Sequence, residues 1–180
     1  MSFSFLKLFR KKHPSYLKLA RKAGVQFGDN TTFASCFWSE AEPFLIKIGS
    51  NCQITHGVKI FTHGGSQVAR MKFPKFDCFG RVIIGNNVYI GNNALIMPGV
   101  TVEDNVLIAA GSVVCRSIPS GSVVGGNPAR FICTVDDYVK KNNQYNLDSK
   151  GLTRSAKKRL LLSADESWFI KKGYMNTSKD

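Results

Sequence analysis

The sequence predicts a mainly β fold, a triangular parallel solenoid, and three observations carry that prediction. Aliphatic residues recur every six positions at Ile84, Ile90, Ile96, Val102, Ile108 and Val114. Four residues after most of them stands a small or β-branched companion: Val88, Ala94, Val100, Val106 and Ser112. The same register appears earlier as Ile48, Ile54 and Ile60, with Cys52 and Val58 as companions. An amphipathic helix repeats about every 3.6 residues and a half-buried strand every second residue, so neither explains this spacing.

Each hexad makes one short strand and a turn, and three hexads complete a circuit. The leading aliphatic points inward and stacks on its equivalent three hexads later, which puts Ile84 under Val102, Ile90 under Ile108 and Ile96 under Val114. The companion fits the tight corner. The pairs Asn86-Asn87 and Asn92-Asn93 supply turn residues that tolerate positive φ. A looser echo at Phe27 and Phe33, with Thr31 and Phe37 as companions, marks an irregular first circuit. The register breaks over residues 63–82, yet Ile60 to Ile84 is 24 residues, a multiple of six, so the faces stay in phase. This stretch reads as a loop, 64–82, extruded from the solenoid. Long loops in compact domains tend to be functional.

Stacked repeats need capped ends. A basic lead-in over 1–22, read as helical, and helices in an extension over 134–180 supply the caps around a solenoid spanning 23–133. The net charge of +13 is concentrated at those ends. Residues 1–22 carry seven cations and no acid, residues 134–180 carry ten cations against six acids, and the middle carries eight against six. A nucleic-acid reader would place a basic stripe with aromatics on its folded face, so no nucleic-acid partner is expected. Weak contact of the basic N-terminus with an anionic membrane surface fits better. No apolar run reaches the roughly 18 residues of a membrane span, and no secretory signal is seen. Five cysteines without a CxxC pair suggest neither a disulfide framework nor a zinc site, and hence a reduced, cytoplasmic setting.

The stretch "IIGNNVYIGNNALIMPGVTVEDNVLIAAGSVVCRSIPSGSVVGGNPAR" resembles the hexapeptide-repeat acyltransferases. Within them it is similar to the maltose, galactoside and xenobiotic O-acetyltransferases and to relatives that acetylate bacterial capsule and O-antigen sugars. The tail from "TVDDYVKK" onward resembles the polysaccharide enzymes too. The resemblance implies a left-handed parallel β-helix and a homotrimer, with acetyl-CoA bound in the cleft between subunits. It implies no metal. By position, the family's catalytic histidine falls on His63, at the root of the loop, and its CoA contacts fall on Asn92, Ala110, Cys115, Arg116 and Arg130. Two departures stand out. Cys115-Arg116 replaces the family's usual Thr-Lys, and Gly64 stands where many relatives have an acid, so Glu40, Glu42, Asp77 or a backbone carbonyl is left to orient His63.

Transfer of an acyl group to a sugar hydroxyl needs a general base as oxygen attacks the thioester, and imidazole supplies one without a metal. It also needs amide donors for the oxyanion, which Gly91 or Gly111 could present. His63 is the expected base, whereas His56, in mid-hexad, is an edge residue or part of the acceptor pocket. Trp38 is a candidate sugar platform or a core residue. The expected function is O-acetylation of a sugar or a saccharide precursor of surface polysaccharide. Alternatives are a xenobiotic or amino-sugar nitrogen as acceptor, a carbonic-anhydrase-like zinc solenoid, or a structural scaffold. The zinc reading lacks a third solenoid histidine.

Overall fold

The computed structural model describes residues 15–174; the first fourteen residues of the basic lead-in lie outside them. The chain forms two compact units that divide after Val135.

The first unit is mainly β, with very short parallel strands, because four of every six residues go into a corner. Helix α1 (Tyr16–Ala23) leads into β1 (Gln26–Phe27), β2 (Thr32–Phe33) and β3 (Phe37–Trp38). The second circuit is β4 (Ile46–Ile48), β5 (Gln53–Ile54) and β6 (Lys59–Ile60). An arm follows, made of β7 (His63–Gly64), α2 (Gln67–Lys72) and β8 (Cys78–Phe79). The third circuit is β9 (Val82–Ile84), β10 (Tyr89–Ile90) and β11 (Leu95–Ile96), and the fourth is β12 (Thr101–Val102), β13 (Leu107–Ile108) and β14 (Val113–Val114). Successive strands pass through three sheets in turn, ordered β1-β4-β9-β12, β2-β5-β10-β13 and β3-β6-β11-β14.

The stacking expected from the hexads is observed: Ile84 pairs with Val102, Ile90 with Ile108 and Ile96 with Val114. Across the arm, Ile48 pairs with Ile84, Ile54 with Ile90 and Ile60 with Ile96, so the insertion leaves the circuits in phase. The leading aliphatics from Ile48 to Val114 are all buried, and so are the companions from Cys52 to Ser112. All of them but the polar Ser112 belong to one continuous hydrophobic core. Asn87 and Asn93, the second residue of each Asn pair, adopt the left-handed turn conformation. Gly91 meets a different demand, since a Cβ there would lie 2.5 Å from the backbone nitrogen of Ala110 on the next circuit.

Several expectations need correction. Phe33 to Trp38 is five residues, so the first circuit is one residue short at its third strand. Trp38 therefore pairs with Ile60 and turns inward, and Phe37 pairs with Lys59 and is exposed, not a corner companion. The loop ends earlier than residue 82, because Val82 is a fully buried strand residue. Nor is it an open loop: β7 and β8 pair antiparallel and α2 is capped by the Ser66 hydroxyl. After the fourth circuit, β15 (Ser122–Gly126) joins β13 in parallel, and β16 (Ala129–Thr134) returns antiparallel through a cis Asn127–Pro128 bond. Antiparallel return is what an edge strand with a tight turn can do, and the six-residue period carries no signal for it.

Helix α1 packs one edge on the first circuit, with Ala20 fully buried, and leaves Lys18, Arg21 and Lys22 exposed. The second unit contains α3 (Val135–Asn142), most of whose residues belong to it, and α4 (Arg154–Ser163). Acids in the first turn of α3 and lysines in its last suit the helix dipole. No described helix is long and apolar enough to cross a membrane.

Burial pushes the Cys36 thiol up to about 11, and raises Cys52 as well. Both are therefore protonated near neutral pH and shielded, while Cys78 and Cys115 are exposed. Maleimide labelling of the folded protein should modify Cys78 and Cys115 and spare Cys36 and Cys52 until denaturant is added. Native labelling of Cys36 or Cys52, read by peptide mass, would contradict the inward register of these circuits.

Candidate active site

The corner between the third and first sheets gathers the groups with chemical potential. As the chain leaves β6, Thr62 is fully buried and its amide donates to the Ser39 hydroxyl at 3.0 Å. The Thr62 hydroxyl donates to Glu42 Oε2 at 3.1 Å. The next residue, His63, places Nδ1 2.8 Å from the same Oε2. The carboxylate thus comes from the end of the first circuit and the imidazole from the end of the second, brought together because the circuits stack. On its other side, His63 lies opposite Phe79 in the β7–β8 ribbon, with the rings edge-to-face at 6.5 Å. The Cys78 thiol donates to the Gly64 carbonyl and ties the ribbon at the pair beyond His63 and Phe79.

The His63 side chain is 48% exposed and that of Glu42 only 17%. With the carboxylate accepting from Nδ1–H, a neutral ring carries its free lone pair on Nε2, the arrangement a general base requires. Of the three acids named from sequence, the geometry selects Glu42. Glu40 is exposed, and Asp77 is 3.9 Å from Arg70 and accepts from the Cys78 amide.

The remaining sequence candidates divide into two groups. His56, Asn92 and Ala110 share the corner between the second and third sheets, where Asn93 N–H donates to the His56 carbonyl and Gly111 N–H to that of Asn92. His56 and Asn92 line one shallow groove with Gln53 and Tyr89. His56 is thus grouped with Asn92 and not with His63. Cys115, Arg116 and Arg130 instead line one cavity of about 360 Å³ between β14 and the β15–β16 hairpin. Cys115 directly follows β14, as Phe61 follows β6, and the two strands lie two rungs apart in the third sheet.

Gly91, Gly111 and Trp38 are engaged in the fold itself. The Gly91 amide donates to the Ile108 carbonyl and the Gly111 amide to that of Asn92. Both are committed to the circuit ladder, so neither is free for an oxyanion, a correction to the expectation above. Trp38 packs partly buried against the core, edge-to-face with Phe33. Among the described residues, no three His, Cys, Asp or Glu side chains come together to hold a metal ion.

Residues 81–116 match the family model "Bacterial transferase hexapeptide (six repeats)". Protein CapG of Staphylococcus aureus is 44% identical over 162 residues, covering 88% of this chain and 93% of that protein. The chain belongs to the hexapeptide-repeat acyltransferase family. Members of this family with solved structures share its fold. A maltose O-acetyltransferase from Clostridium difficile 630 has a TM-score of 0.52 at 28% identity, covering 71% of this chain and 79% of that one. A galactoside acetyltransferase in complex with coenzyme A has a TM-score of 0.53 at 25% identity, covering 72% and 76%. Family membership makes the chain an acyltransferase, and its corner chemistry is read below on that basis.

Proposed function

We propose that this enzyme transfers the acetyl group of acetyl-CoA to a hydroxyl of a saccharide precursor of surface polysaccharide, with His63 as general base. The observation that carries the reading is the Glu42–His63 pair at the root of the arm. In this reading the acceptor hydroxyl attacks the thioester carbonyl as Nε2 takes its proton. The tetrahedral adduct then collapses, the C–S bond breaks, and the imidazolium returns the proton to the departing CoA thiolate. Glu42 holds the ring and balances its transient charge. Thr62, on the same carboxylate oxygen, fixes that carboxylate.

The saccharide acceptor follows the maltose and galactoside specificities in the names of the relatives. Coenzyme A in the galactoside enzyme supports the donor. The Arg116 and Arg130 guanidiniums suit its phosphates, because a fixed fork of donors pairs well with phosphate oxygens. We read the three parallel sheets as the faces of a left-handed β-helix that works as a homotrimer in the cytoplasm, with the donor held between subunits, and the two helical ends and the arm as its appendages.

Thiol release from acetyl-CoA, screened over nucleotide sugars and oligosaccharides, tests the reading. Arg130→Ala should raise the donor KM by roughly ten-fold or more, the worth of a charge-assisted contact, and leave the acceptor KM little changed. An unchanged donor KM in both Arg116→Ala and Arg130→Ala would remove the donor from this cavity.

A further inference from the structure

Helix α4 displays a surface that the acetyl-transfer chemistry does not use. Thr153 caps the helix through its hydroxyl, and the sequence then runs Arg154-Ser-Ala-Lys-Lys-Arg-Leu-Leu-Leu-Ser163. At about 100° per residue, Lys157, Leu161, Arg154, Lys158 and Leu162 fall in succession across one side. The opposite side carries Arg159, Ser163, Ala156 and Leu160, the first two of them exposed. Ala156 and Leu160 are half-buried, and Leu160 and Ser163 line a cavity of the second unit with Trp168. The inward side is therefore already satisfied. The outward side leaves Leu162 77% and Leu161 39% exposed beside the exposed Arg154 and Lys158, with Lys157 half-buried at its edge.

Residues 149–174 carry seven cations against two acids, Asp165 and Glu166. Asp165 is occupied in capping the turn after α4, where it accepts from the Ser167 amide. Ile170, Lys171 and Lys172 add further exposed apolar and cationic groups. A helix side on which leucines alternate with lysine and arginine suits neither bulk water nor an apolar partner. It matches a surface with negative charge outside and hydrocarbon just beneath.

We propose that the outward side of α4 is a docking surface for an anionic phospholipid bilayer, into which Leu161 and Leu162 insert while Arg154 and Lys158 meet the phosphates. Such docking would hold the enzyme at the membrane surface.

The test is flotation of the full-length protein with vesicles of phosphatidylcholine alone and of phosphatidylcholine mixed with phosphatidylglycerol, at low and high salt. Residues 1–22 carry seven cations of their own, so paired variants decide the matter. Arg154→Ala/Lys158→Ala should weaken binding to the mixed vesicles by about 25-fold, at roughly five-fold per cation. Leu161→Ser/Leu162→Ser should also weaken it, and both should keep the wild-type turnover on a soluble acceptor. Three results would overturn the proposal. One is no binding by the wild type to either vesicle, and another is binding by both variants equal to the wild type. The third is a changed oligomeric state in Leu161→Ser/Leu162→Ser, which would assign the leucines to a contact between copies of the chain.

Discussion

Replacing Ile90 by alanine should destabilise the fold by about 2–5 kcal/mol, the range for a large aliphatic truncated in a core that cannot collapse. Ile90 is fully buried and pairs in register with Ile54 below and Ile108 above. Backbone hydrogen bonds hold those neighbours at fixed rungs, since the amides of Thr55 and Gly91 donate to the Ile90 and Ile108 carbonyls. The strands therefore cannot close over the void. Gln53, one residue away from the inward Ile54, faces outward and is exposed. Its alanine variant should stay within about 0.5 kcal/mol of the parent. Urea denaturation at one protein concentration compares the two. Similar losses at Ile90 and Gln53 would mean that the six-residue period does not sort residues into core and surface.

That period made most of the β architecture legible. A residue that must point inward once per circuit leaves a mark every six positions, and the marks at Ile48 to Val114 map directly onto the observed pairs. The first circuit was less legible because its inward residues are aromatic and its third strand comes one residue early. A larger ring at Trp38 fills what a full-length corner and an aliphatic would fill elsewhere. The arm was visible only as a gap in the period. Its ribbon depends on pairing between His63–Gly64 and Cys78–Phe79, two segments too short to announce themselves. The β15–β16 hairpin leaves no mark for a similar reason, since an antiparallel return ends the repeat that would signal it.

Legibility of the site followed the same rule. His63 stands out because it ends a hexad run where the chain departs from the repeat. Glu42 occupies no periodic position and was one of three acids in view, and only stacking of the first circuit beneath the second brings it to Nδ1. Thr62 gave no signal, as buried hydroxyls also serve structural ends here, such as Ser112 donating to the Ala109 carbonyl. The glycine amides are unavailable to an oxyanion for a physical reason. A backbone that approaches its neighbour closely enough to require Gly91 is also one whose amide is already engaged in the ladder.

His63→Ala should lower kcat by roughly 10²–10⁴, the usual worth of a positioned general base. The fold should survive, because the side chain is about half exposed and its neighbours Thr62 and Gly64 keep their own hydrogen bonds. Donor binding should survive too, since the arginines proposed for the phosphates line a separate cavity. Glu42→Gln should fall between wild type and His63→Ala, as the ring stays in place but loses its charged partner. His56→Ala should lose about ten-fold or less, because His56 sits at another corner with Asn92. The most direct measurement is thiol release from acetyl-CoA with a working saccharide acceptor, run side by side on folded His63→Ala and His56→Ala. The His63 variant should be the nearly inactive one while its donor affinity matches the wild type. Near-normal turnover by His63→Ala together with a dead His56→Ala would contradict it, and would move the base to the corner that His56 shares with Asn92.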